Sequence, residues 1–296
     1  MKEKPFSKYQ ILANAVMIIW TLAIILPFIL LFMSSITDEN TLVANGYSFF
    51  PKKFSLASYS YIIKSGGQML KAYGVSIGVT VVGTLLNVLL SALMAYPLSV
   101  KNLPGRNVMM FFVFFTMLFN GGIVPSYIMW TGTFHIKDTI FAQLLPNFLL
   151  SAWNVMMIRT YFTTSIPDGL YEAAEIDGAS QFTIFWKIVL PLGKPILVTM
   201  GTFAGLAYWN DWTNGLYYIV KNTGLYNVQN LLNQMVQNIQ FLTQSSNSNV
   251  TAAASTIPAT GIQMAIAFVA ILPIMLIFPS FQKYYAKGIA LGAVKG

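Results

Sequence analysis

The chain has 296 residues, 56% of them hydrophobic and only 9% charged, with a mean hydropathy of +0.63. A soluble domain is about a quarter charged, so most of this surface faces something other than water, which disfavours a soluble enzyme or a disordered chain. The net charge of +8 would suggest nucleic acid on a soluble protein; on an apolar chain basic loops orient membrane helices, and no nucleic-acid partner is expected.

Six apolar stretches are each long enough for the roughly 20 residues of a bilayer span. Ile11–Ile36 holds no charge over 26 positions. It is longer than the apolar part of a signal peptide and lacks a small-residue cleavage site, so it is read as a retained helix. The others are expected near Leu70–Val100, Asn107–Trp130, Thr139–Phe162, Pro195–Val220 and Thr260–Gln282. Six spans put both termini on one side. With the termini inside, the inner segments carry eleven Lys and Arg residues, including Lys101, Arg106, Arg159 and Lys187, against six outside. The bias predicts a multi-pass protein with both termini cytoplasmic. Residues 1–10 then form a cytoplasmic N-terminus, 11–282 the six-helix domain, and 283–296 a small, basic cytoplasmic tail.

Two loops stand out. The inner loop 163–194 holds four of the nine acids, Asp168, Glu172, Glu175 and Asp177. Ser165 with Asp168 resembles a capping box, Pro167 suits a first helical turn, and Gly178 suits the left-handed residue that ends a helix. These predict a short helix over Ile166–Asp177, then a second over Ser180–Val189 stopped by Pro191. In the outer loop 221–259, Val228, Leu231, Leu232, Met235, Ile239 and Leu242 fall at helical spacing, which predicts an amphipathic helix. Its other face is amide: Gln229, Asn230, Asn233, Gln234, Gln237 and Asn238.

The inner loop resembles the EAA loop of ABC importer permeases: Glu-Ala-Ala, three residues, Gly, nine residues, Ile, one residue, Leu-Pro. Glu172, Ala173, Ala174, Gly178, Ile188, Leu190 and Pro191 occupy every fixed position at the right spacing. Further pieces match the maltose-permease-like group of carbohydrate importers, nearest its complex-oligosaccharide branch: Ala95-Tyr96-Pro97-Leu98-Ser99, Leu103-Pro104-Gly105-Arg106-Asn107, Ile176-Asp177-Gly178-Ala179-Ser180, Trp209-Asn210-Asp211 and the final Gly292-Ala293-Val294-Lys295-Gly296. Two stretches depart from the pattern, Thr213-Asn214-Gly215 and the amide-rich outer loop.

The resemblance implies an all-α polytopic fold with six transmembrane helices, of the type I ABC importer permease (MetI-like) kind, in the bacterial plasma membrane. It implies no chemistry on the substrate and no cofactor or metal on this chain. ATP and magnesium would belong to two ATP-binding partners, consistent with the lack of a phosphate-binding Gly-x-x-x-x-Gly-Lys-Ser/Thr loop here. A second homologous permease and an extracellular or lipid-anchored sugar-binding protein complete the implied set. Glu172, Ala173, Ala174, Asp177, Gly178, Ile188, Leu190 and Pro191 would couple to the ATPase.

Polar groups in lipid are costly and line a cavity or another helix. The candidates are Asn87, Asn120, Gln143, Asn147, Asn154, Asn210, Asp211, Asn214 and Gln263, with Tyr208 and Trp209 beside them. Amide, carboxylate and aromatic groups suit sugar hydroxyls and C–H faces, so Tyr208, Trp209, Asn210, Asp211, Asn214, Asn87 and Asn120 are candidate pathway residues. Hydrogen bonding between helices is the competing reading. Asn233 and Gln237 are candidate contacts for the binding protein, against a helix that merely lies on the membrane surface. The shortage of charge in the spans favours a neutral, hydroxyl-rich solute. An importer of another solute and an ion-coupled carrier are the alternatives; a carrier would need ionisable pairs near mid-membrane, and Asp211 is the one acid inside a span.

Overall fold

The computed structural model of the protein describes the backbone of residues 8–64, 66–244 and 259–293. The stretch Thr243–Thr256 lies almost wholly outside these residues, as do the side chains of the tail from Lys283 onward. The described residues are helical apart from loops and a single isolated bridge between Thr37 and Phe54. Two compact units emerge, residues 1–69 with 232–273, and residues 70–231 with 274–296.

In the first unit, α1 (Lys8–Ser35) is apolar on every side and exposed throughout its first 22 residues. A helix that is apolar all round needs lipid or another protein around it. Two short helices follow, α2 (Glu39–Asn45) and α3 (Ala57–Lys64). The Glu39 carboxylate accepts from the Thr260 and Gly261 amides, both at 2.9 Å. These are orphan donors in the first turn of the last helix, which runs Ala259–Ala293. A carboxylate there satisfies them and opposes the positive end of the helix dipole.

The second unit holds most of α4 (Gly66–Ser99), then α5 (Arg106–Leu118), α6 (Ile123–Ile128), α7 (Phe141–Leu144) and α8 (Ala152–Ser165). Next come α9 (Asp168–Ile176), α10 (Gln181–Ile184), α11 (Leu190–Leu192), α12 (Lys194–Asn210) and α13 (Thr213–Tyr218). α14 (Val228–Gln244) and α15 (Ala259–Ala293) complete the chain.

The spans expected first, second and last are long unbroken helices, α1, α4 and α15. The other three are interrupted. The third bends by 110° between α5 and the helical run 123–133, at Asn120-Gly121-Gly122. There the Asn120 Oδ1 accepts the Gly122 amide at 2.8 Å, a local bond that competes with helix. The fourth is helical as α7 and again from Ala152; between them Pro146 lacks a donor and Asn147 has φ +66, a left-handed value that ends helices. The fifth stops at Asn210 and resumes as α13. Lipid tolerates such breaks where the freed backbone groups find partners within the protein. The sixth continues eleven residues past its expected end at Gln282, to Ala293.

The main apolar core lies in the second unit and joins α4, α5, α8, α9 and α12 through Ala95, Val113, Ile158, Phe162, Ala174, Phe185 and Met200. Its small residues matter as much as its large ones. On α12, Gly201 and Gly205 lie against Val88 and Thr84 of α4, the close helix approach that small-xxx-small spacing permits. Gly74 and Gly78 show the same spacing but face open space.

Candidate functional site

The inner loop is a helix–turn–helix. α8 ends at Ser165, and Ile166 is extended (φ −102, ψ 116) because the ring of Pro167 disfavours helix in the residue before it. Helix therefore begins at Asp168, two residues later than expected. The capping box does not form: Pro167 holds the cap position with no side-chain cap bond. The far end follows the sequence closely. Gly178 has φ +79, its amide donates to the Glu175 carbonyl at 3.0 Å, and the Ala179 amide donates to the Ala174 carbonyl at 2.9 Å. That bond pair is a Schellman motif, which uses up carbonyls at the helix end and fixes the turn.

The loop is tied down from beneath. Tyr96 donates to Gln181 Oε1 at 2.5 Å, and Gln181 Nε2 donates to Glu175 Oε1 at 2.8 Å. Lys101 pairs with Asp168 at the surface, a contact worth about 0–1 kcal/mol. Ser180 Oγ caps α10 by accepting the Thr183 amide at 3.2 Å. The second helix does not stop at Pro191. A π turn over Phe185–Val189 leads directly into α11, which carries Pro191 in its first turn.

The motif residues separate into two sets. Glu172, Ala173, Asp177, Gly178 and Pro191 are exposed, and Ile176 is 86% exposed. Ala174 is buried in the core, with Ile188 and Leu190 partly buried against it. Both alanines are among the residues that the resemblance implies for coupling to the ATPase. Ala174 instead faces inward, so its small size serves packing within the chain.

The polar residues of the broken spans also gather, but they are consumed. Asn154 donates to Asn87 Oδ1 at 2.7 Å, and Asn87 donates to the Phe148 carbonyl at 2.6 Å. Tyr208 donates to the Leu144 carbonyl at 2.9 Å, and Asn214 to the Pro146 carbonyl at 3.1 Å. These are carbonyls freed by the break in the fourth span. Asp211 Oδ1 accepts from the Thr213 amide and hydroxyl and from the Asn214 amide at 2.7–3.2 Å, so it caps α13. Its Oδ2 is buried with no partner among the described residues. Asn87, Tyr208, Trp209, Asp211 and Asn214 are all buried. Asn87, Tyr208, Asp211 and Asn214 thus bond backbone groups beside the breaks, which is the competing reading of these residues, while Asn120 and Asn210 are exposed.

The two stretches that depart from the family pattern fit each other. Asn230 of α14 donates to the Trp212 carbonyl, and a Cβ on Gly215 would overlap the Asn230 amide. Asn227 donates to the Asp211 carbonyl at 2.6 Å. Val228, Leu231, Leu232, Met235 and Ile239 are buried as the spacing predicts. The amide face is not uniformly free. Asn230 points inward, Asn233 is half-buried and accepts from Gln237 at 3.3 Å, and Gln237 and Asn238 are exposed.

One residue that the sequence gave no reason to select is Asp138. It stands in the left-handed region, φ +57, where Asp is tolerated. One carboxylate oxygen accepts the amides of Val220, Lys221 and Asn222 at 2.6–3.2 Å. The Lys221 amide above all, then those of Val220 and Asn222 and the charge of Lys137, hold its carboxyl below the usual range. A turn-forming Lys-Asp pair looks like any loop, so nothing in the sequence marked it. Among the described residues no three His, Asp or Glu side chains come together as metal ligands would.

Apolar helices, interrupted spans and an exposed helix–turn–helix between the fourth and fifth spans define a multi-pass membrane permease. Residues 72–291 match the family described as binding-protein-dependent transport system inner membrane component, and the chain belongs to that family. It is similar to Protein LplC of Bacillus subtilis, 36% identical over 92% of this chain and 90% of that one. It is similar also to the polygalacturonan/rhamnogalacturonan transport system permease protein YtcP of Bacillus subtilis, 35% identical over 97% of this chain and 98% of that one. Among solved structures, a bacterial ABC transporter involved in the import of the acidic polysaccharide alginate matches with a TM-score of 0.78 and 26% identity, covering 96% of this chain and all of that one.

Proposed function

We propose that the chain is the permease subunit of an ATP-driven, binding-protein-dependent importer of oligosaccharides. It pairs with a second, homologous permease, two ATP-binding subunits and an external sugar-binding protein, and both its termini lie in the cytoplasm. The observation that carries this reading is α9. It holds an exposed ridge of Glu172, Ala173 and Ile176 on a helix fixed at both ends and anchored by buried Ala174. The transport names of the relatives supply the solute class.

The mechanism follows from rigidity. ATP-driven closure of the ATPase pair displaces a helix seated in its surface. α9 passes that displacement to α8 through the short Ile166-Pro167 link and to α12 through the 79° bend between 181–192 and 194–210. The broken spans then rock, an inward-open cavity becomes outward-open, the docked binding protein releases its sugar into it, and hydrolysis resets the pair.

The test is sugar-stimulated ATPase activity of the copurified assembly, with neutral and uronate-containing oligosaccharides both offered through the binding protein. Glu172→Lys reverses an exposed charge, and Gly178→Trp adds bulk where no atom lies within 4 Å of a new Cβ, together with strain in the left-handed turn at φ +79. Both are expected to abolish stimulation while the complex still reaches the membrane. Normal stimulation in both variants would refute the coupling role.

A further inference from the structure

The second unit contains a groove that the transport reading does not use. It lies between the C-terminal part of α4, α5 and the start of α8, encloses about 490 Å³, and is lined by apolar side chains that include Met94, Leu98, Met109, Val113 and Val155. That volume is typical of small-molecule sites, about 300–1,000 Å³.

Two arginines stand at one end. Arg106 opens α5 and precedes the lining residue Met109 by three positions. Arg159 follows the lining residue Val155 by four positions on α8. Those spacings put each arginine on the same helix face as its lining residue. α5 runs away from Arg106 and α8 runs toward Arg159. Arg159 Nε also donates to the carbonyl of Leu98, at the end of α4, at 3.1 Å. The directions of all three helices therefore bring the guanidinium groups to the same mouth. Neither arginine pairs with a carboxylate among the described residues, whereas neighbouring Lys101 has Asp168.

Two unneutralised guanidinium groups at the mouth of an apolar groove fit an anion that carries an apolar tail. We propose that this groove holds an anionic phospholipid of the cytoplasmic leaflet, with an acyl chain along Met109, Val113 and Val155 and the phosphate on Arg106 and Arg159. Guanidinium groups bind phosphate through forked, charge-assisted hydrogen bonds. The basic bias of the loops places this mouth on the cytoplasmic side, where anionic lipids and basic pockets between helices meet. The inference rests on the proposed orientation, with both termini in the cytoplasm, and is independent of the solute carried.

The test is lipid retention, counted by native mass spectrometry on the purified assembly from nanodiscs of phosphatidylcholine with a minor fraction of phosphatidylglycerol. The wild type is expected to retain phosphatidylglycerol at least tenfold in preference. Arg106→Gln with Arg159→Gln should remove the preference, and Arg106→Lys with Arg159→Lys should keep most of it. Met94→Trp, which fills the groove and leaves both charges, should abolish retention, and Lys101→Gln should change nothing. Equal preference in the Gln double variant and in Met94→Trp would overturn the proposal. So would displacement of the lipid by inorganic phosphate at matched concentration, which would mean that the tail is not seated. A photoreactive benzoylphenylalanine at Met109 should label lipid; an adduct with another polypeptide would overturn it too.

Discussion

The inner loop and the polar network of the broken spans are built from residues that stand out equally in the sequence, yet the structure treats them in opposite ways. In the inner loop the backbone is satisfied by its own geometry, a Schellman turn at Gly178 and a serine cap at Ser180. Glu172, Ala173 and Asp177 are therefore left exposed and unspent. In the network the backbone is not satisfied by helix, because the fourth and fifth spans are interrupted, and Asn87, Tyr208, Asp211 and Asn214 are spent on repairing it. A polar residue in a membrane protein is available for a ligand only when the chain around it has no prior claim on its hydrogen bonds.

The largest test of that difference is Gly215. A Cβ there overlaps the amide of Asn230, which holds the Trp212 carbonyl. Gly215→Val should cost about 1–3 kcal/mol through overpacking, with a further loss from the part-buried Trp212 carbonyl left without its partner. The expected outcome is loss of folded protein from the membrane, measured by the monodisperse fraction after extraction. Gly215→Ala combined with Asn230→Ala should restore part of it. Full accumulation of Gly215→Val would show that the two divergent stretches are not locked together.

The two adjacent alanines split the inner loop itself. Ala174→Phe forces a ring into the core beside Phe185 and should destabilise by about 1–3 kcal/mol. Ala173→Phe adds the same ring to an exposed site, where stability should stay within about 0.5 kcal/mol, and should act instead on ATPase stimulation. Thermal unfolding and ATPase assay on both variants separate packing from docking. Equal loss of stability in both would erase the distinction.

Much of this was legible beforehand. The three long helices, the helix–turn–helix, the left-handed Gly178 and the buried stripe of α14 all follow from local rules acting over a few residues. The breaks were less legible. Asn120-Gly121-Gly122 announced one through its glycines. The start of α9 at Asp168 and the passage through Pro191 depended on which residue takes the cap, and the Ser165 signal was overridden by the ring of Pro167. Hydrogen bonding between helices was open as a reading of Asn87, but its partners, and the roles of Asn230 and Asp138, could not be read. Each serves a backbone group 61 to 84 positions away or across an unforeseen turn, and side-chain type alone does not say whether a distant carbonyl or a ligand claims it.

Asn87 gives a test of intermediate size. Asn87→Leu orphans the Phe148 carbonyl and the Asn154 amide together. Such losses cost about 1–3 kcal/mol in water-soluble proteins, and bilayer measurements average about 0.6 with a maximum near 1.7. A drop of about 1–2 kcal/mol is therefore expected, with Asn154→Leu adding less than its own single cost because the pair is already broken. If Asn87 served the solute instead, stability would hold and the transport KM would rise.

The smallest effect belongs to Asp138, and its sign is fixed by its surroundings. The three amides that bond its carboxylate favour the charged form, which lowers the folded pKa below the ordinary carboxylate value. A depressed folded pKa contributes stability that is present above the unfolded pKa, near 4, and that is lost as pH falls through the folded value. The wild type should therefore lose part of its thermal stability below about pH 4 through this group. Asp138→Asn, which keeps the shape but accepts less strongly, should be slightly less stable at neutral pH and should show a shallower acid decline. The exposed position limits the size of the effect, because solvent competes for the same amides. Thermal unfolding from pH 7 to pH 3 compares the two slopes. Identical slopes would mean that the amides of Val220, Lys221 and Asn222 are held by the α13 turn itself, and that Asp138 follows that turn rather than fixing it.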